Sequence, residues 1–201
     1  MDLAAPFKKE VLRPFTTLVV PGAIATGPFT LVLGDKVPAV AKFWLEHPYP
    51  FIALLVISLL AAGFIIDDVG ANIEAYVWDR ILLRRDPEHN NNWQRYLKLQ
   101  IKDELVAQRY LDDKVIQFKF ELAMATALVV FWLGLGWLQA LHRMWSNSGF
   151  ALVTLLVFAG ATYLLWESLQ SAKLLSRTRA LILKAIEDGP QGFPVTPATK
   201  C

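Results

Sequence analysis

Four long stretches of the chain contain no charged residue and no histidine. They run over residues 14–34, 48–66, 122–141 and 144–166. A hydrocarbon core of roughly 30 Å is crossed by about 20 helical residues, and a backbone in lipid must satisfy its own hydrogen bonds. The sequence therefore predicts an all-α fold, a polytopic membrane bundle of four transmembrane helices with helical cytosolic extensions.

The first stretch differs from the other three because helix-breaking residues interrupt it. They are Pro14, Pro21, Pro28, Gly22, Gly27 and Gly34. Residues of these types kink or break helices, so we expect a kinked span, with a re-entrant or interfacial segment as the alternative. Basic residues precede this stretch, as in a cleaved signal peptide, but so many prolines are atypical of the apolar centre of a signal.

The basic residues divide unequally between the two sides of the predicted spans. Of twenty Lys and Arg, three precede the first stretch, nine lie in residues 67–119 and five follow residue 170, which leaves three in the alternate loops. Basic flanks remain cytoplasmic during insertion. The sequence thus predicts a multi-pass protein of the bacterial inner membrane with both termini in the cytoplasm. The predicted parts are a first transmembrane hairpin (1–66), a cytosolic helical extension and loop (67–119), a second hairpin (120–170), and a cytosolic helix with a disordered tail (171–201).

The helices are predicted to extend beyond the spans. No helix breaker follows the second stretch before Pro87, so that helix is predicted to continue to about Arg85. Asn91 and Gln94 then have the form of a capping box that starts another helix. That helix is predicted to continue directly into the third span, and the helix of the fourth span to continue to about Glu187.

The connection between the first two stretches, residues 35–47, is predicted to be a short loop at the outer surface. Trp44 and Tyr49 flank the second span, and Trp137 and Trp145 flank the other outer turn. Tryptophan and tyrosine are enriched at the headgroup level of membranes. We interpret these four aromatic residues as anchors rather than as a binding site.

Four carboxylates are candidates for an ion pathway or gate. Asp67 and Glu74 follow the second stretch, Glu121 precedes the third, and Glu167 ends the fourth. Ionisable groups at membrane depth are costly unless they are paired or hydrated, so their convergence would mark an ion vestibule. The alternative is that they are boundary residues facing headgroup water.

Helix packing is predicted at Gly63, Gly70, Gly134 and Gly160. Small residues let helices approach closely in lipid, where packing rather than hydrophobicity drives association. For the segment that contains Gly63 and Gly70, a polar seam lining an oligomeric pore is the alternative.

A docking surface for a cytosolic protein is predicted from large anchoring side chains in the extension. They are Trp78, Trp93, Tyr96 and Arg109. Aromatic residues and arginine dominate the binding energy of many protein interfaces. The alternative is that these residues pack within the extension itself.

The sequence lacks signatures of catalysis. The three histidines are isolated, the one cysteine is Cys201, and neither a phosphate-binding glycine loop nor a nucleophile elbow is present. We therefore predict no enzymatic activity, no metal and no cofactor.

These observations predict a non-enzymatic membrane protein that self-associates and uses its cytosolic helices to dock a partner or to gate. Its expected partners are the lipid bilayer, further copies of the chain and a cytosolic protein, but not nucleic acid. One alternative is a homo-oligomeric ion channel with an acidic cytoplasmic vestibule. Another is the membrane subunit of a bacterial defence or stress-sensing system whose soluble partner does the chemistry.

Overall fold

The computed structural model describes residues 15–85, 91, 95 and 106–187. This part of the chain is helical apart from short connections, and it contains no strand. Four of its helices are long and apolar enough to cross a membrane. The all-α prediction and the number of candidate spans are therefore confirmed.

Five helices can be delimited within the described residues. Their bounds are Phe15–Val19 continued by Val20–Lys36 (α1), Pro38–Glu46 (α2), Pro48–Ile73 continued by Glu74–Trp78 and Asp79–Arg85 (α3), Val106–His142 (α4), and Asn147–Glu187 (α5). The segments Phe15–Val19 and Glu74–Trp78 are π-helical.

The first apolar stretch forms one helix, because neither proline within α1 interrupts it. Pro21 lies just after the π-helical segment, at the start of Val20–Lys36, Pro28 lies in the interior of that segment, and both are buried. Prolines inside membrane helices are accommodated when neighbouring groups re-satisfy the freed backbone. The 20 residues from Thr17 to Lys36 are enough for one span.

The outer connection predicted as a loop is mostly helical. α2 lies between two non-helical residues, Val37 and His47. Pro38 and Pro48 each begin a helix, and the first helical position is where proline is best tolerated. Both prolines therefore mark helix starts.

The other predicted helix extents agree with the structure. α3 is helical through Arg85, the last residue described in that segment, α4 is continuous through Lys119, and α5 is helical through Glu187. The 41 residues of α5 would extend about 62 Å, roughly twice the thickness of a hydrocarbon core. Asn91, the predicted start of the next helix, is described and is helical. The residues from there to Gln94 and the predicted tail after Glu187 lie outside the described residues.

The described helices form two compact units. The first unit contains residues 15–71 and 119–167. The second contains residues 72–85, 106–118 and 168–187. The boundaries fall inside α3, α4 and α5, and each unit has its own buried side chains.

Helix α4 is the central helix of the first unit. Its Ala123 and Ala127 pack with Ala25 of α1 and Ile66 of α3 in one buried cluster. A second cluster contains Val32, Leu135 and Leu138. In the most apolar 18-residue stretch of each helix, 44% of the residues are buried in α4, whereas 11% are buried in α3 and only 6% in α5. Most apolar side chains of α3 and α5 therefore face outward from the single chain.

Candidate functional site

Polar side chains are buried inside the second unit, between residues 72–85 of α3, 106–118 of α4 and 168–187 of α5. Ser168 has no exposed surface, and Ser171 is also buried. Burying a hydroxyl costs free energy unless it forms a hydrogen bond. The interior of this unit therefore depends on specific polar contacts as well as on apolar packing.

One hydrogen bond joins α3 to α5 in this interior. The indole Nε1 of Trp78 donates to Oγ of Ser168 at 3.2 Å. Trp78 is the last residue of the π-helical segment of α3. Such segments occur mostly as single turns inside α-helices and are frequent at functional sites. The bond therefore fixes how α3, from Trp78 onward, is rotated relative to α5.

A small cavity lies beside this hydrogen bond. Its volume of about 20 Å³ is room for about one water molecule. The lining residues come from all three segments and are Glu74, Trp78, Asp79, Leu82, Phe118, Ala172, Leu175 and Arg179. Two carboxylates and one guanidinium thus border the same space, and the Nε of Arg179 is shielded from solvent. Charges buried together are tolerated when they are of opposite sign and hydrogen-bonded.

Apolar side chains from the same three segments enclose this polar interior. The buried ones are Leu82, Leu111, Phe118, Leu175, Ile182 and Leu183. The second unit therefore has a core of apolar side chains and buried hydroxyls, bordered by the partly exposed Glu74, Asp79 and Arg179.

The four predicted carboxylates are divided between the two units. Glu74 lines the cavity of the second unit. In the first unit Glu121 is only 4% exposed, whereas Asp67 and Glu167 are half-buried. Among the described residues, no group of three His, Cys, Asp or Glu side chains is arranged to hold a metal ion.

The closest helix contact of the first unit lies between α1 and α3. A Cβ atom built on Gly63 would overlap the carbonyl oxygen of Leu18, and one built on Gly22 would overlap that of Leu59. The two backbones therefore touch through paired glycines, which is the close approach that small residues permit in membrane helices. Gly22 was missed as a contact residue, because in the sequence it stands among helix breakers.

The other three predicted packing glycines have looser surroundings or side-chain neighbours. A Cβ on Gly134 would lie 2.8 Å from Cβ of Pro28, whereas those on Gly70 and Gly160 would meet their nearest atoms at 3.4 and 3.6 Å. Of these three glycines, only Gly134 could not be replaced by a larger residue unless its neighbours moved.

Of the four predicted docking residues, only Trp78 has a described side chain. It is half-buried, and its N–H is used inside the second unit, which agrees with the packing alternative. Trp93, Tyr96 and the side chain of Arg109 lie outside the described residues. Tyr76, two residues before Trp78, is the more exposed of the two aromatic residues, at 67%.

Comparisons of the chain with protein-family models, with curated proteins and with solved structures find no match.

Proposed function

We propose that the chain is a multi-pass protein of the bacterial inner membrane, without enzymatic activity, that self-associates and uses its second unit to dock a cytosolic partner or to gate the assembly. Self-association would occur between membrane spans, and the second unit would lie in the cytosol together with both termini.

Membrane insertion is supported by the outward-facing apolar surface of α3 and α5. Only 11% and 6% of the residues in their most apolar stretches are buried. These helices therefore leave far more apolar surface uncovered than a soluble monomer tolerates. A bilayer covers such surface at no cost to solubility. Seventeen of the twenty basic residues lie before the first stretch, in residues 67–119 or after residue 170, which supports the cytoplasmic placement of those segments.

The observation that carries self-association is an open groove along α5. Its lining residues are Ala151, Thr154, Leu155, Phe158, Ala159 and Thr162. Four of these residues are small, namely Ala151, Thr154, Ala159 and Thr162, and they flank the larger Leu155 and Phe158. Small residues on a helix surface let a second helix approach closely in lipid. We assign the groove to α5 of a second copy of the chain.

Mass measurement of the protein in nanodiscs tests this assignment. The wild-type chain is expected to form a dimer or a small ring, and Ala159→Phe is expected to shift the population towards monomer because the ring fills the groove. Leu156→Phe is the control, since Leu156 is also exposed on α5 but is not among the groove residues. A wild-type protein that is strictly monomeric in lipid, with no copurifying protein, would contradict the proposal.

A second candidate function, an ion channel, is favoured by the burial of Glu121. Glu121 is 4% exposed and lies next to a long uncharged stretch, and ionisable residues at membrane depth often mark ion pathways. If this function holds, neutralising Glu121 and Glu167 together with glutamine lowers cation conductance in planar bilayers, whereas Asp35→Asn, at an exposed site, leaves it unchanged. Bilayers that stay silent under voltage and pH steps would remove this candidate.

A further inference from the structure

Helix α2 presents large apolar side chains that nothing in the single chain covers. None of its residues is buried. Leu45 is 84% exposed and Trp44 is 58% exposed, and Tyr49, just after the helix, is 84% exposed. Removal of such large apolar side chains from water is energetically favourable. Their exposure on one nine-residue helix therefore requires a covering surface.

The polar residues of α2 are confined to one face. Lys42 and Glu46 are one turn apart, and their charged groups are 3.7 Å from each other. The remaining positions of Pro38–Glu46 are apolar. A helix with a narrow charged face and a broad apolar face is typical of helices that lie in the plane of a membrane interface.

A ring contact fixes the level of α2 relative to the second candidate span. The indole of Trp44 stacks on the ring of Phe51, with centroids 5.5 Å apart and an interplanar angle of 10°. Phe51 lies in the first turn of α3, three residues after its start at Pro48. Trp44 is therefore held beside the outer end of that span rather than away from it.

The exposed apolar surface of α2 also continues onto α3. Tyr49, Ile52 and Val56 follow at helical spacing, and all three are exposed. A single surface would cover this row of α3 together with Trp44 and Leu45. For a chain that spans a bilayer, that surface is lipid.

We propose that α2 is an interfacial helix of the outer leaflet. Leu45 and Trp44 enter the boundary between headgroups and acyl chains, while Lys42 and Glu46 face the aqueous side. The partner is the lipid surface itself. This inference rests on the membrane insertion proposed above.

Spin-label accessibility in reconstituted phosphatidylcholine–phosphatidylglycerol vesicles tests the inference. The background is Cys201→Ser, and a nitroxide is attached at Leu45→Cys, at Glu46→Cys as the adjacent control, or at Val56→Cys as the span control. Collision with oxygen reports on lipid, and collision with a water-soluble nickel chelate reports on the aqueous phase. The oxygen-to-nickel ratio at position 45 is expected to be several-fold higher than at position 46 and close to that at position 56.

The outcomes separate the inference from the proposed function. If position 45 is as nickel-accessible as position 46 while position 56 is shielded, α2 does not lie in the interface, although the chain still inserts. If positions 45 and 56 are both nickel-accessible, membrane insertion itself is overturned. Oxygen preference at 45 and 46 alike would place the charged face in lipid and would also contradict the inference. Circular dichroism of each labelled variant checks that helix content is unchanged.

Discussion

Replacing Gly63 with alanine is expected to destabilise the first unit by about 1–3 kcal/mol, and a larger residue is expected to prevent its folding. The added Cβ would overlap the carbonyl oxygen of Leu18, a backbone atom that no side-chain rotation can move away. The helices α1 and α3 would have to separate, which would also loosen the reciprocal contact at Gly22. Unfolding by increasing SDS in mixed micelles, followed by circular dichroism, measures the loss.

Gly34→Ala is the matched control for this substitution. Gly34 also lies inside α1, but a Cβ built there would meet no atom within 4 Å beyond its own neighbourhood in the helix. Because alanine restricts the unfolded chain and favours helix by about 0.5–1 kcal/mol, this variant is expected to be as stable as the wild-type protein or slightly more stable. Equal losses from the two substitutions would show that α1 and α3 do not meet through their backbones.

Replacing Trp78 with alanine is expected to cost the second unit about 3 kcal/mol. This value is at the lower end for removal of a tryptophan, because the ring is half-buried. The substitution removes the hydrogen bond to Ser168 and enlarges the adjacent cavity, whose walls carry charged groups. Faster tryptic cleavage at the exposed Arg80 and Arg177 is the expected readout.

Two further variants divide the effect of Trp78 into its parts. Trp78→Phe keeps an aromatic ring but removes the hydrogen bond, so it is expected to cost about 1 kcal/mol. Tyr76→Ala lies in the same π-helical segment, and its largely exposed ring predicts a change within about 0.5 kcal/mol. If Tyr76→Ala accelerates cleavage as much as Trp78→Ala, the inward placement of Trp78 is wrong.

The long helices could be predicted from the sequence because their signals are local. Uncharged stretches determine which segments are apolar enough to span, and the absence of breakers before Pro87 determines how far α3 continues. Proline was a weaker guide. Pro28 is accommodated inside α1, and Pro38 and Pro48 begin helices, since the effect of a proline depends on its position in the turn.

The contacts between helices could not be predicted in the same way. Periodicity indicates which face of a helix is apolar, but it does not say which residue of another helix lies opposite. Gly22 and Gly63 therefore gave no sign of being partners, although each is visible in the sequence. The cavity in the second unit is a stronger case, because it joins Glu74 and Arg179, which are more than one hundred positions apart.

The π-helical segment of α3 determines which side chains of the second unit face α5. A π turn holds one residue more than an α turn, so the residues after Glu74–Trp78 are offset by about 100° from the direction that the same sequence would give them in an uninterrupted α-helix. Regular α winding with every residue retained would therefore turn Trp78 away from Ser168. Loss of one amino acid from the segment, by contrast, would restore regular winding and leave the residues that follow it in their present directions.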